Sequence, residues 1–197
     1  MNLADVQAVA VAPLRYIPGN PCLREVLAMK GTVKRSGLWC EFGVYRGETL
    51  RLLAVEKGEA RLVGFDSFNG LPEDWTRPDT KVFRAGTFAC PVPDVPGAEI
   101  VVGHFEDTLS TAAFMHTAQP LTFLHVDCDI YSAAKTVLEW AAPRLVNGAV
   151  VVFDELVGYP GFEAHEWRAL GEAYDRGLRW EWLHAAGEGV AIRVVKP

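Results

Sequence analysis

Apolar residues in this chain recur in two alternating rhythms. Residues 22–30 place Leu23, Val26, Leu27 and Lys30 at helical spacing, behind the start signal Asn20-Pro21. Gly37 then opens a short apolar run, 38–44, that ends in glycine and predicts a buried strand. Residues 47–57 set Leu50, Leu53 and Ala54 on one helical face and stop at Gly58. A second strand is predicted over 61–66, a third over 98–103, a fourth over 121–127 and a fifth over 149–154. Helices are expected over about 105–117, over 131–145 with a stop at Asn147-Gly148, and near 163–175. The chain closes on two strand-like runs, 178–183 and 189–195, around a turn containing Gly187. Residues 67–98 break the rhythm, with prolines at 72, 78, 91, 93 and 96; a loop that long in a compact domain is usually functional or mobile.

Strands that are continuous apolar runs, alternating with helices, favour a parallel sheet covered on both faces. The closing pair is joined by too few residues for a crossover, so its members must run antiparallel. The expectation is an α/β, doubly wound, mostly parallel sheet with one reversed strand at its end. One domain is expected over 1–197, with 1–37 as an N-terminal segment and 38–197 as the core.

Composition narrows the function. Of 197 residues half are hydrophobic, and 19 Lys plus Arg stand against 25 Asp plus Glu, a net charge of −6. No basic run exceeds two residues, which argues against nucleic acid or an anionic membrane as partner. The four cysteines, Cys22, Cys40, Cys90 and Cys128, show no metal-ligand spacing. The N-terminus carries Asp5 and no basic residue before Arg15, so it lacks a signal-peptide pattern, and no run is long enough to span a bilayer. A cytoplasmic location is expected.

In open α/β sheets ligands bind beyond the carboxyl ends of the strands. The expected first strand end delivers Glu41-Phe42-Gly43-Val44-Tyr45-Arg46-Gly47, and the second Asp66-Ser67-Phe68. The third delivers Gly103-His104-Phe105-Glu106-Asp107, the fourth Asp127-Cys128-Asp129, and the fifth Asp154-Glu155. Two glycines four apart allow a tight turn and close approach of a ligand to backbone, but the middle glycine of a dinucleotide fingerprint is absent. Asp66 follows Gly47 by 19 residues, a place where an acidic side chain accepts hydrogen bonds from ribose hydroxyls. A turn cap is its plainer role.

These blocks, together with Gly64-Phe65-Asp66-Ser67-Phe68-Asn69-Gly70-Leu71-Pro72, Gly86-Thr87-Phe88, Asp127-Cys128-Asp129-Ile130-Tyr131 and Pro143-Arg144-Leu145, resemble in order those of the macrocin O-methyltransferase family. That family is a branch of the class I S-adenosylmethionine-dependent methyltransferases, and the likeness runs from about residue 38 to 155. It implies a Rossmann-like seven-stranded sheet with a reversed last strand. It implies a cofactor site at Glu41, Gly43, Val44, Tyr45, Gly47 and Thr49, with Asp66 and Ser67 at the ribose. Gly103, His104, Phe105 and Glu106 would border the adenine, and Asp127 would reach the cofactor. It also implies a divalent cation, usually Mg2+, on Asp127, Asp154 and Glu155, orienting a hydroxyl of a small acceptor such as a sugar or a natural-product glycoside. Asp127 and His165 are the expected catalytic residues. Pairing into a homo-oligomer is left open.

Two departures stand out. The family's Asp-Asp-Tyr is Asp154-Glu155-Leu156 here, which keeps a carboxylate and loses an aromatic ring. Only 37 residues precede the expected first strand, which counts against a macrolide acceptor. Other features carry competing readings. His125 reads more readily as a core residue than as a catalyst, and Trp180 and Trp182 as core or interface. Phe68, Trp75, Phe83 and Phe88 either close over the cofactor or anchor a surface loop. The alternatives to a methyltransferase are a cofactor-binding partner protein without catalysis and an NAD-dependent oxidoreductase.

Overall fold

The computed structural model describes residues 1–78, 81–111, 114 and 118–196. In chain order its strands are β1 (Leu38–Phe42), β2 (Arg61–Asp66), β3 (Trp75–Arg77), β4 (Lys81–Phe83), β5 (Glu99–Val102), β6 (Leu121–Val126), β7 (Leu145–Phe153), β8 (Trp180–Ala186) and β9 (Gly189–Val194). Its helices are α1 (Leu3–Ala8), α2 (Pro21–Ala28), α3 (Glu48–Glu56), α4 (Phe105–Leu109), α5 (Tyr131–Ala141) and α6 (Glu166–Asp175), with a 3-10 turn at Phe162–Ala164 before α6.

The main sheet has seven strands in the order β5-β2-β1-β6-β7-β9-β8. All pairs from β5 to β7 are parallel, whereas β9 runs antiparallel to both β7 and β8. The reversed strand is therefore last in the chain but not at the sheet edge. It is inserted between β7 and β8, because a two-residue turn, Gly187-Glu188, allows only antiparallel neighbours.

All five residues of β1 are buried. Leu38, Cys40 and Phe42 enter one apolar cluster with Val137 and Leu138 of α5 and Leu170 of α6, while Trp39 enters a second with Leu23 of α2 and Leu50 of α3. Burial on both faces is the reason the strand sequences are unbroken apolar runs rather than alternating ones. Phe42 and Phe65 stack across the β1–β2 pair at 4.6 Å between ring centres.

Several local features depart from the sequence pattern. Helix α5 ends at Ala141 rather than near residue 145. Pro143 lacks the amide hydrogen a further helical turn needs, and it disfavours helical backbone before it. Strand β7 consequently begins at Leu145, and Asn147-Gly148 lies inside it, where the β6–β7 register slips and Gly148 takes φ +77. The irregular stretch 67–98 holds a small antiparallel sheet, β3–β4, whose facing residues Trp75 and Phe83 stack. Of the helix expected over about 105–117, α4 covers Phe105–Leu109 and the chain turns at Ser110; residues 112, 113 and 115–117 lie outside the described residues. Helix α1 was not anticipated. The chain after it pairs with the sheet edge, Val11 N–H donating to the Ala185 carbonyl at 3.0 Å, and so covers part of an open strand. The four cysteines are unbridged. No helix among the described residues is long and apolar enough to cross a membrane.

Candidate active site

The carboxyl ends of β1, β2, β5, β6 and β7 open into one cavity of about 1100 Å³. Its floor is a contact between two loops. Gly43, at φ +92, lies so close to the Asp127 carbonyl that a Cβ there would sit 1.7 Å from the oxygen. Any side chain would drive apart the loops after β1 and β6, which is why the turn requires glycine.

Asp66 organises the turn after β1. Its Oδ2 accepts the amide hydrogens of Val44 at 2.9 Å and Tyr45 at 2.8 Å, and Oδ1 accepts that of Phe68 at 2.7 Å. Tyr45 and Phe68 both have positive φ, 49° and 57°, so the carboxylate holds two residues in backbone conformations they rarely adopt. The turn-cap role is thus present, and each carboxylate oxygen retains the capacity to accept a further donor.

The expected residues Gly43, Val44, Tyr45, Thr49, Asp66, Ser67, Gly103, His104, Phe105, Glu106, Asp127, Asp154 and Glu155 all line the cavity. Glu41, Gly47 and His165 are not among its lining residues. Glu41 is wholly buried beneath it, with Oε1 2.9 Å from His125 Nδ1. Desolvation pushes its carboxyl above the ordinary range, partly offset by His125 and the Thr49 hydroxyl. His125 is correspondingly a core residue. His165 turns its Nε2 toward the Thr76 carbonyl at 3.3 Å and packs its ring against Trp75 and Tyr159. Burial holds its pKa below the usual histidine value. It stands behind the cavity wall.

At the acidic end, Asp127, Asp154 and Glu155 each offer an oxygen within 4.8 Å of the others. Burial, then the charges of Asp154 and Asp129, raise the Asp127 carboxyl well above its normal range. Burial and the same two neighbours raise Glu155 likewise, and its Oε2 is buried with no hydrogen-bond partner. Such a group is costly unless a cation or proton satisfies it. Lys135 and Arg144 do not answer this charge: Lys135 pairs with Glu172 at 3.4 Å, and Arg144 lies over the Trp140 ring. Three oxygen donors suit a hard cation such as Mg2+ or Ca2+.

Four contributors were given no site role in the sequence reading. Asp129, at φ +64, lines the cavity, and burial and Asp154 push its carboxyl up to about 7 against the lowering influence of Arg77. Arg77 forms a buried two-pronged ion pair with Glu188, at 3.0 and 2.7 Å, and lies 4.2 Å from the Tyr159 ring centre. Glu166 is fully buried behind Cys128, with burial and nearby carboxylates raising its pKa. Asn20 reads as a helix start in sequence, yet its side chain makes no cap hydrogen bond and instead reaches Asp154. Nothing in local patterning marks these partners, which are separated by up to 134 residues.

A family model described as "Methyltransferase domain" matches residues 40–156. Among solved structures, the chain is similar to CalS11, a calicheamicin methyltransferase, with a TM-score of 0.64 at 25% identity, over 86% of this chain and 74% of that one. It is similar to the O-methyltransferase NovP with a TM-score of 0.63 at 19% identity, over 88% of this chain and 78% of that one. The fibrillarin of Aeropyrum pernix, with S-adenosyl-L-methionine natively bound, gives a TM-score of 0.50 at 16% identity, over 87% of this chain and 74% of that one. The NovP and fibrillarin likenesses, below 25% identity, show the fold. No curated protein sequence matches the chain.

Proposed function

The chain belongs to the methyltransferase-domain family, whose model spans residues 40–156, and from that premise we propose that it methylates a hydroxyl of a small molecule, using S-adenosylmethionine and a divalent cation. The observation that carries the proposal is the meeting of two arrangements in one cavity: the Asp66-braced turn after β1, and the Asp127–Asp154–Glu155 triad beyond β6 and β7. CalS11 and NovP, similar in fold, are described as a methyltransferase and an O-methyltransferase. The small-molecule acceptor, a sugar or natural-product glycoside, comes from this likeness together with an acidic cavity and an acidic chain.

The residues present fit the cofactor. Asp66 would hold the ribose, the Gly43–Val44–Tyr45 backbone and Thr49 the amino-acid part, and Gly103, His104, Phe105 and Glu106 the adenine side. When bound, S-adenosylmethionine supplies a methyl group on a positively charged sulfur, open to in-line attack by an oxygen. When bound at the triad, a divalent cation supplies a Lewis acid that lowers the pKa of a coordinated hydroxyl. The protein's own part is mostly positioning. Asp127 lies on the loop that touches Gly43, so the carboxylate that orients the acceptor and the turn that orients the cofactor share one backbone contact. Asp127 would also serve as the base for the acceptor hydroxyl, since it lines the cavity beside the cofactor turn. Burial raises its proton affinity, which suits it to take the hydroxyl proton through a side-chain oxygen.

The test is a transfer assay with radiolabelled S-adenosylmethionine over a panel of hydroxylated glycosides, run with MgCl2 and with EDTA. Methyl transfer to oxygen that depends on magnesium supports the reading. Cofactor binding with no transfer to any panel member would favour a non-catalytic partner role.

A further inference from the structure

Helix α6 turns four buried positions to the core, Glu166, Ala169, Leu170 and Ala173. Their spacing is that of an amphipathic helix, and every place in such a stripe calls for an apolar side chain. The first place holds a carboxylate instead. Glu166 is wholly buried, and its Oε2 has no hydrogen-bond partner among the described residues. An acidic first turn suits the helix dipole, but an exposed position serves that end without desolvating the charge. For folding alone, a neutral side chain of the same shape would do better.

The surroundings of this carboxylate connect it to the triad. Its Oε1 lies 4.0 Å from Cys128 Sγ, and Cys128 stands between Asp127 and Asp129 on the loop after β6. Burial, then Asp129 and Asp154, push the Glu166 carboxyl up, while the backbone amides of Cys128 and Glu155 act the other way. One side chain therefore acts on both loops that carry the triad, at Cys128 on the first and at Glu155 on the second. The influence also runs in return. Burial and then nearby carboxylates, Glu166 among them, raise both Asp127 and Glu155. Negative charge gathered behind a set of oxygen donors is unfavourable until a cation stands in front of it. Groups that orient ligating carboxylates without ligating commonly change metal affinity about 10- to 100-fold.

Resting on the cation-assisted reading above, we propose that Glu166 is a positioning residue for the cation site. It does not ligate. From behind Cys128 it braces the loops after β6 and β7 and adds its negative charge to the field at the triad. The protein without a cation is less stable for keeping that charge buried.

The test is a titration of the full chain with Mn2+, followed by electron paramagnetic resonance. Calorimetric titration with S-adenosylhomocysteine and thermal melting in EDTA accompany it. Glu166→Gln keeps the shape of the side chain and removes its charge. It should weaken Mn2+ binding about tenfold, and at least about threefold. It should leave S-adenosylhomocysteine affinity within about twofold and melt in EDTA at or above the wild-type temperature. Glu166→Asp keeps the charge but withdraws it from Cys128, so its Mn2+ affinity should fall between those of the wild type and the Gln variant. Four outcomes would each overturn the inference: a loss of Mn2+ affinity below about threefold in the Gln variant, an equal loss of S-adenosylhomocysteine affinity, an Asp variant that binds Mn2+ no better than the Gln variant, or a Gln variant that melts below wild type or fails to fold. The last would assign Glu166 to the fold alone. A wild-type chain that binds no Mn2+ would overturn the cation reading itself, and this inference with it.

Discussion

Asn20 Nδ2 donates a hydrogen bond to Asp154 Oδ1 at 2.6 Å, joining the segment before α2 to the end of β7. Asn20 adopts left-handed backbone, φ 52° and ψ 59°, at the start of α2, where Pro21 fixes the first helical residue. The helix therefore aims the amide at the carboxylate. One oxygen of Asp154 is oriented by this contact, and the other is left for the triad. Partners that orient ligating carboxylates commonly matter about 10- to 100-fold for metal affinity. Asn20→Ala should raise the magnesium concentration for half-maximal methyl transfer on the order of tenfold, with little change in cofactor affinity. A magnesium titration of activity checks this; an unchanged midpoint would separate Asn20 from the metal site.

Asp66→Ala should act on both cofactor and fold. It removes an acceptor for three backbone amides and frees two residues held at positive φ. Hydrogen bonds to a charged group contribute roughly 1.5–3 kcal/mol, so S-adenosylmethionine affinity should drop about 10- to 100-fold. Thermal melting in excess cofactor against none gives the second readout, since the ligand-induced rise should shrink in the variant.

Removal of divalent cations should stop transfer while sparing the cofactor. EDTA is expected to abolish activity, with MgCl2 restoring it in the wild type. Asp127→Ala and Glu155→Ala should be inactive without rescue, because each removes one of three oxygens that meet within 4.8 Å. Full activity in EDTA would return these carboxylates to a general-base or structural part.

The acidic cluster makes stability depend on pH in a definite direction. Asp129 has its folded-state carboxyl pushed up to about 7, by burial and by Asp154, with Asp66 adding and Arg77 opposing. A group with a raised folded pKa holds its proton longer when folded than when unfolded. Its stabilising effect is therefore greatest at low pH and falls as pH rises from the ordinary aspartate value toward 7. Asp127, Glu155 and Glu166 are shifted the same way. Without divalent cations the denaturant midpoint should fall between pH 5 and pH 7, and Asp129→Asn should reduce that fall. Magnesium should raise stability more at pH 7 than at pH 5, where fewer carboxylates are ionised to receive it.

Arg77 and Glu188 should behave as a unit. Breaking a buried ion pair on one side leaves an uncompensated charge and costs about 3–5 kcal/mol. Glu188→Leu alone should therefore destabilise the protein strongly, and Arg77→Met with Glu188→Leu should recover much of the loss. Urea unfolding of the two variants measures the difference.

The sequence by itself determined the architecture and the strand ends that open into the cavity. Unbroken apolar runs such as 149–153 read as strands buried on both faces, and the alternation of such runs with amphipathic stretches favours parallel order. The same order places Gly43, Asp66, Gly103, Asp127 and Asp154 at strand ends, hence around one cavity. Local chemistry was enough there, because each residue's role depends on its own strand. What the sequence left undecided depends on contacts between distant segments. The β3–β4 hairpin forms because Trp75 and Phe83 find each other, in a stretch whose prolines read as loop. Glu41 lies at a strand end yet turns to the core, since its neighbour across the sheet is His125. Asn20, Arg77 and Glu188 join the site through pairings spanning 111 to 134 residues. Tertiary packing alone decided which further carboxylates crowd against Asp127, Asp154 and Glu155 and which aromatic rings line the cavity, because burial and distance set those contacts and neither is periodic in the chain.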